Sequence, residues 1–101
     1  QEMRTKYFPK SVQKNYGKAI EMEPEFAEAF YHRGCSWYEV GKNEYAIADL
    51  TRAIELDPMA DSYYGQRAIV YIFQDEPELA QADEEVCQEL RIRAQENKLA
   101  K

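Results

Sequence analysis

A seven-residue segment of this chain recurs with only conservative changes. Lys18 to Pro24 reads KAIEMEP and Arg52 to Pro58 reads RAIELDP, which sets Pro24 and Pro58 34 residues apart. A fixed period of that length constrains the fold more than any other feature, because each period must be one supersecondary unit packed on its neighbours. Shifting the sequence by 34 aligns more than the echo. Arg33 falls on Arg67, Gly34 on Ala68, Trp37 on Tyr71, Ala46 on Ala80 and Asp49 on Asp83. Phe30 falls on Tyr64 and Ala53 on Cys87. Backwards, Ala53 falls on Ala19, Ile54 on Ile20 and Leu50 on Tyr16. Aromatic stays aromatic and small stays small, as expected of one packing unit used repeatedly.

Each unit reads as two helices. From Ala27 to Val40 the apolar residues Phe30, Gly34, Trp37 and Val40 recur at steps of three and four. Gly41 stops that helix, as glycine does just past a C-terminus. From Glu44 to Leu56, Ile47, Leu50, Ala53, Ile54 and Leu56 make a second stripe, ended by Asp57-Pro58, since proline pushes the preceding residue out of the helical region. No alternating strand pattern occurs. A turn of about three residues makes the two helices antiparallel. Gly34, Ala46 and Ala53 fall on the inward faces and let the backbones approach; Phe30, Trp37 and Leu50 fill the space beside the crossing.

Composition narrows the functions open to such a stack. With 45% hydrophobic and 32% charged residues the chain is a globular sequence and not a disordered one. It has no apolar run of 18 residues and no signal-peptide pattern at its start, so a cytoplasmic location is expected and no membrane partner. A net charge of −6 argues against nucleic acid, which calls for a basic stripe. Cys35 and Cys87 form neither a metal-ligand spacing nor a disulfide framework, and read as thiols in a reducing compartment. The sole histidine, His32, rules out a cluster of histidines on a metal. A Cys35–His32 pair falls on one helix face but has no third orienting group. The expectation is no enzyme, no metal and no cofactor.

Phe30-x-x-Arg33-Gly34-x-x-Trp37, followed by Ala46, Leu50, Ala53 and Pro58, resembles the tetratricopeptide repeat, whose pattern is an aromatic, Leu-Gly, Tyr, then Ala, Phe and Pro. Only Arg33 departs in chemical class. The resemblance implies an all-α array of antiparallel helix hairpins, an α-solenoid of about two and a half repeats in a single domain over 1–101. The second half of a repeat would span 9–26, a complete repeat 27–60, and a degenerate repeat 61–100. It also implies a module for protein–protein interaction, with a concave side lined by the first helix of each unit. A branch of the family grips the C-terminal carboxylate of heat-shock chaperones with Lys, Arg and Asn. Those cations are missing from the groove positions here.

The departures carry information of their own. Arg33 and Asp49 lie at equal distances either side of Gly41, and Arg67 and Asp83 either side of Asp75, so each pair is predicted to face across a hairpin as a salt bridge. Glu84 and Gln88 replace Leu50 and Ile54, a polar substitution that suits a terminal cap. Ile92 stands where Pro58 stood, so the last helix is predicted to run from Pro77 to about Asn97. At the front, Gln1 to Phe8 is too short for a first helix. Val12, Tyr16 and Ile20 are then poorly covered, as in a fragment of a longer array or a face packed on another copy.

The inward-pointing candidates on the first helices are Glu28, Tyr31, His32, Cys35, Tyr38 and Glu39 in one unit, and Gln66, Ile69, Ile72 and Phe73 in the next, beside Ser62 and Gly65. Gln1, Arg4 and Thr5 are candidates at the front. This apolar, aromatic surface is expected to hold a peptide or a partner helix. The alternative is a structural module whose apolar face packs on another copy to give a homo-oligomer. Gly65 costs its helix about 1 kcal/mol relative to Ala, which implies a packing reason: room for Tyr31, or for a ligand backbone.

Overall fold

The structure is a computed structural model, and it describes residues 16–100. Every regular element among them is helical. A short wide turn at Tyr16–Gly17 leads into α1 (Lys18–Met22), followed by α2 (Ala27–Glu39), α3 (Asn43–Leu56), α4 (Asp61–Phe73) and α5 (Pro77–Ala100). α2 packs on α3 and α4 on α5 as hairpins; α3 packs on α4, and α2 also touches α4. The all-α hairpin array read from the sequence is the observed architecture. Val12, Gln1, Arg4, Thr5 and the leading part of the 9–26 half-unit lie outside the described residues.

The hairpin turns explain the helix limits. Val40 falls in the turn, one residue inside the predicted end, and α3 starts one residue early at Asn43. Gly41 takes φ +82°, its N–H donates to the Tyr38 carbonyl (3.0 Å), and the Lys42 N–H donates to that of Trp37 (2.8 Å). These two bonds satisfy carbonyls that the helix end would otherwise leave bare. The second hairpin repeats the device with Asp75 at φ 60°: its N–H donates to Ile72 (3.1 Å) and that of Glu76 to Tyr71 (2.9 Å). Between the hairpins, the Asp57 carboxylate accepts from the Met59 N–H at 3.3 Å, and the Tyr64 hydroxyl donates to the Pro58 carbonyl at 3.0 Å.

Close helix approach in the first hairpin depends on Gly34. A Cβ there would lie 3.0 Å from Leu50 Cγ and 3.2 Å from the Ala46 carbonyl oxygen. Leu50, Ala46 and Ala53 are fully buried beside it, and Trp37 and Val70 complete the core. Both predicted ion pairs form. Arg33 donates from Nε and Nη2 to Asp49 at 2.7 and 2.9 Å, and Arg67 does the same to Asp83 at 2.7 and 2.8 Å. Both carboxylates are buried, which is tolerable because each is held bidentately. Arg67 also donates to Thr51 Oγ1 at 3.0 Å, tying the second hairpin to the first.

The ends differ. α5 begins on Pro77 as predicted and runs to Ala100, three residues past the expected limit. α1 buries no residue; Tyr16 just before it and Ile20 within it are half-covered.

Candidate functional site

α2 and α4 lie side by side, and their shared face carries a row of rings. Tyr16 stacks on His32 with centroids 5.9 Å apart, and His32 meets Tyr31 at 5.1 Å. Tyr31 stacks on Tyr63 at 4.9 Å, 29° from parallel. Further along the same two helices, Tyr38 meets Phe73 at 5.6 Å. Such pairs attract through ring quadrupoles as well as through area buried. Tyr31 and Tyr38 also pack against the core around Trp37 and Leu50, so they serve fold and surface at once. Sequence reasoning did not place Tyr16 on this face, and it missed Tyr63, which is buried beneath the row. Its counterpart one period back is Ala29, so the repeat gave no aromatic signal there.

A hollow of about 270 Å³ opens beside this row, lined by Tyr31, Ser62, Gly65, Gln66, Ile69, Glu84, Cys87 and Arg91. Gly65 stands where the preceding unit has Tyr31, so α4 is bare at this point. The expected reason for Gly65, room for Tyr31, is corrected by the packing. The atom that an added Cβ would meet is the Cys87 sulfur, at 3.3 Å. Cys87 is bulkier than Ala53, its counterpart, and glycine opposite makes the space.

The polar groups on this face are quiet chemically. Burial pushes the Cys35 thiol above the usual range; Tyr31 offsets this in part and Glu39 adds to it. The Tyr31 hydroxyl is likewise raised, first by burial and then by Cys35. Burial lifts the Cys87 thiol too. A raised thiol stays protonated at neutral pH and is a poor nucleophile. His32 is exposed, with Tyr16 and Tyr31 as its ring neighbours, and it is not among the groups that shift Cys35. No group of three His, Cys, Asp or Glu among the described residues could hold a metal. None of the described helices is long and apolar enough to cross a membrane.

The structure divides the ten expected site residues between two surfaces. Tyr31, His32, Cys35, Gln66, and Tyr38 with Phe73 belong to the α2–α4 face. Glu28 and Glu39 are exposed near it, close enough to act on Tyr63 and Cys35 respectively. Ile72 belongs instead to a larger groove of about 860 Å³ on the outer side of the α4–α5 hairpin, and Ile69 borders both. Ala68, Ile69, Ile72, Ala80 and Ile92 give that groove an apolar floor; Glu84, Glu85, Glu89 and Glu96 stand along it with Arg93. The polar cap expected from Glu84 and Gln88 is therefore a rim around apolar ground.

A similar hairpin stack exists among solved structures. A double mutant of MamA, a protein containing tetratricopeptide repeats ("MamA RS-1 ArsTM double mutant"), matches with a TM-score of 0.76 at 22% identity over 81% of this chain. The chain in turn spans 46% of that protein's length. The fold is tetratricopeptide-like. No family model and no curated protein matches the sequence. In the tetratricopeptide-like frame the ring row lies on the first helices of the two hairpins, and the larger groove lies where a following hairpin would pack.

Proposed function

We propose that this chain is a non-enzymatic protein-interaction module that holds a peptide or partner helix against the α2–α4 face. The unit limits proposed with it are a half-repeat over 9–26 and repeats over 27–60 and 61–100. The observation that carries the reading is the continuous ring row from Tyr16 through His32, Tyr31 and Tyr63, extended by Tyr38 and Phe73. Rings give large contact area at low entropic cost, and Phe73 remains 67% exposed, more surface than an unpartnered face needs. The hollow at Gly65 admits a side chain or a stretch of backbone. Exposed Glu28 and Glu39 favour a partner with basic residues, chiefly through its rate of encounter. A cytoplasmic setting suits the two free thiols.

The test compares proteins captured from source lysate by the native chain and by a His32→Ala/Gln66→Ala/Phe73→Ser variant. These side chains lie outside the core cluster, so the variant should melt within a few degrees of the parent. Tyr31→Ala and Tyr38→Ala would confuse binding with stability, since both rings pack on the core. Specific partners should be lost from the variant. Identical capture by both chains would sink the reading.

A further inference from the structure

The α4–α5 groove has an apolar floor and an acidic rim, and the described residues leave it open. Ile72 is 62% exposed and Ile92 55%. One period earlier, the equivalent side of the α2–α3 hairpin seats a helix, α4. Val70 of α4 joins Trp37, Ala46 and Leu50 in the core. Phe73 of α4 meets the Tyr38 ring at 5.6 Å, and Arg67 Nη1 donates to Thr51 Oγ1 at 3.0 Å. A shift of 34 carries these seats to the rear groove, where Ala80 stands for Ala46, Ile72 for Tyr38, Glu84 for Leu50 and Glu85 for Thr51. Ala80, like Ala46, has no side chain beyond Cβ, so a helix can approach closely over it. The apolar seats of Val70 and Phe73 therefore keep apolar ground, while the seat of Arg67 gains a carboxylate. Glu84 and Glu85 accept from the neutral amides of Gln88 and Gln81, at 3.2 and 3.3 Å. The one cation lining the groove, Arg93, leans on Glu89 at 3.6 Å.

We infer that the groove docks a basic amphipathic helix of another protein, seated as α4 is on the first hairpin: a cation over Glu85, and apolar residues three and six positions on over Ala80 and Ile72. Those steps are the ones from Arg67 to Val70 and Phe73. They set the cation at the edge of an apolar stripe on one helix. The stripe supplies affinity, and the charges beside it select the partner. The described residues of this chain do not supply such a helix. α4 begins at Asp61, whose counterpart is Gln95, and Gln95 lies inside α5, so no following helix starts in that register. The described helices of a second copy fit poorly as well: α1 and α4 are neutral overall, and α2, α3 and α5 are net negative. An acidic helix there would set like charges against Glu84 and Glu85. The contact uses none of the residues substituted in the binding test above, so either reading can fail without the other.

Fluorescence anisotropy of a labelled synthetic helix tests this against the full chain. The probe is built of Leu, Ala and Lys, about five turns long, with one leucine stripe flanked by lysines. The native chain should bind it, and less tightly as salt rises, since the ion pairs lie at the surface. Glu85→Lys/Glu89→Lys should weaken binding about tenfold. The same helix with Glu in place of Lys should prefer that reversed chain to the native one. Ile72→Ser/Ile92→Ser should weaken both combinations, because the floor is common to them. A scrambled peptide of the same composition, which keeps the charge and loses the stripe, should bind far more weakly. The His32→Ala/Gln66→Ala/Phe73→Ser variant should hold the probe as the native chain does. Helix content and melting temperature serve as controls that the exposed substitutions leave the fold intact. No binding by the native chain, equal binding of the scrambled peptide, or binding indifferent to either groove variant overturns the inference. So does self-association of the chain that the groove variants abolish, because the groove then belongs to a second copy.

Discussion

Asp83 is buried, and both its oxygens are committed to Arg67, whose side chain is only 18% exposed. Asp83→Asn should cost about 2–4 kcal/mol in urea unfolding, because it strands a cation that cannot recover its hydration. Asp49→Asn should cost less, since Arg33 is 26% exposed and reaches water more easily. The sequence made these pairs legible because each arginine and aspartate stand equidistant from a turn. It hid the Thr51 contact, since one period earlier the matching residue is Gly17, with no side chain to offer Arg33. Gly34→Ala sets a gain of about 1 kcal/mol in helix propensity against a Cβ 3.0 Å from a branched, fully buried Leu50. Overpacking costs about 1–3 kcal/mol, so the variant should unfold at lower urea concentration than the parent. Ala68 is accommodated at the equivalent place because Glu84 has replaced Leu50 and turns outward.

The elements owe their limits to turn chemistry, and the accuracy of a sequence reading follows how plainly that chemistry is written. Gly41 and Pro58 mark the ends of α2 and α3 to within one residue. α4 ends by the same two hydrogen bonds as α2, but with Asp75 in the left-handed conformation, where the glycine signal is absent. A non-glycine residue there costs roughly 1–2 kcal/mol. Asp75→Gly should therefore raise the melting temperature, with a gain of up to about 1 kcal/mol after the added freedom of the unfolded chain. α5 overran its expected end because nothing after Pro77 is glycine or proline. The start of α4 is also open to improvement. Ala60 holds an extended N-cap conformation (φ −87°, ψ 104°) with no side-chain hydrogen bond to the helix. Ala60→Asp supplies the missing acceptor beside the positive end of the helix dipole, and should add about 1 kcal/mol by the same unfolding measurement.

Taken whole, the described residues form a slab 52 × 33 × 17 Å, about two helix layers thick. In such a slab few side chains can be enclosed on every side: Ala46, Leu50, Ala53 and Val70 are, on helices with neighbours on both sides, and Cys87 of α5 is the exception, enclosed against α4 alone. That explains why the ring row and the end groove were only partly legible: both depend on how adjacent hairpins are set, and a period describes the unit better than the junction. It also sets an order of stability. α3 is packed on α2 and on α4 and carries Leu50 and Ala53 at zero exposure, whereas α1 buries no residue and α5 is exposed from Arg91 to Leu99. In a stack held by nearest-neighbour contacts, opening starts where a unit has a single neighbour. Native-state hydrogen exchange should find the slowest amides in α3, around Leu50 and Ala53, exchanging only through global unfolding. The amides of α1 and of the last turns of α5 should exchange far faster, through local fraying. Equal protection along all five helices would show instead one cooperative block, with stability no longer graded by neighbours.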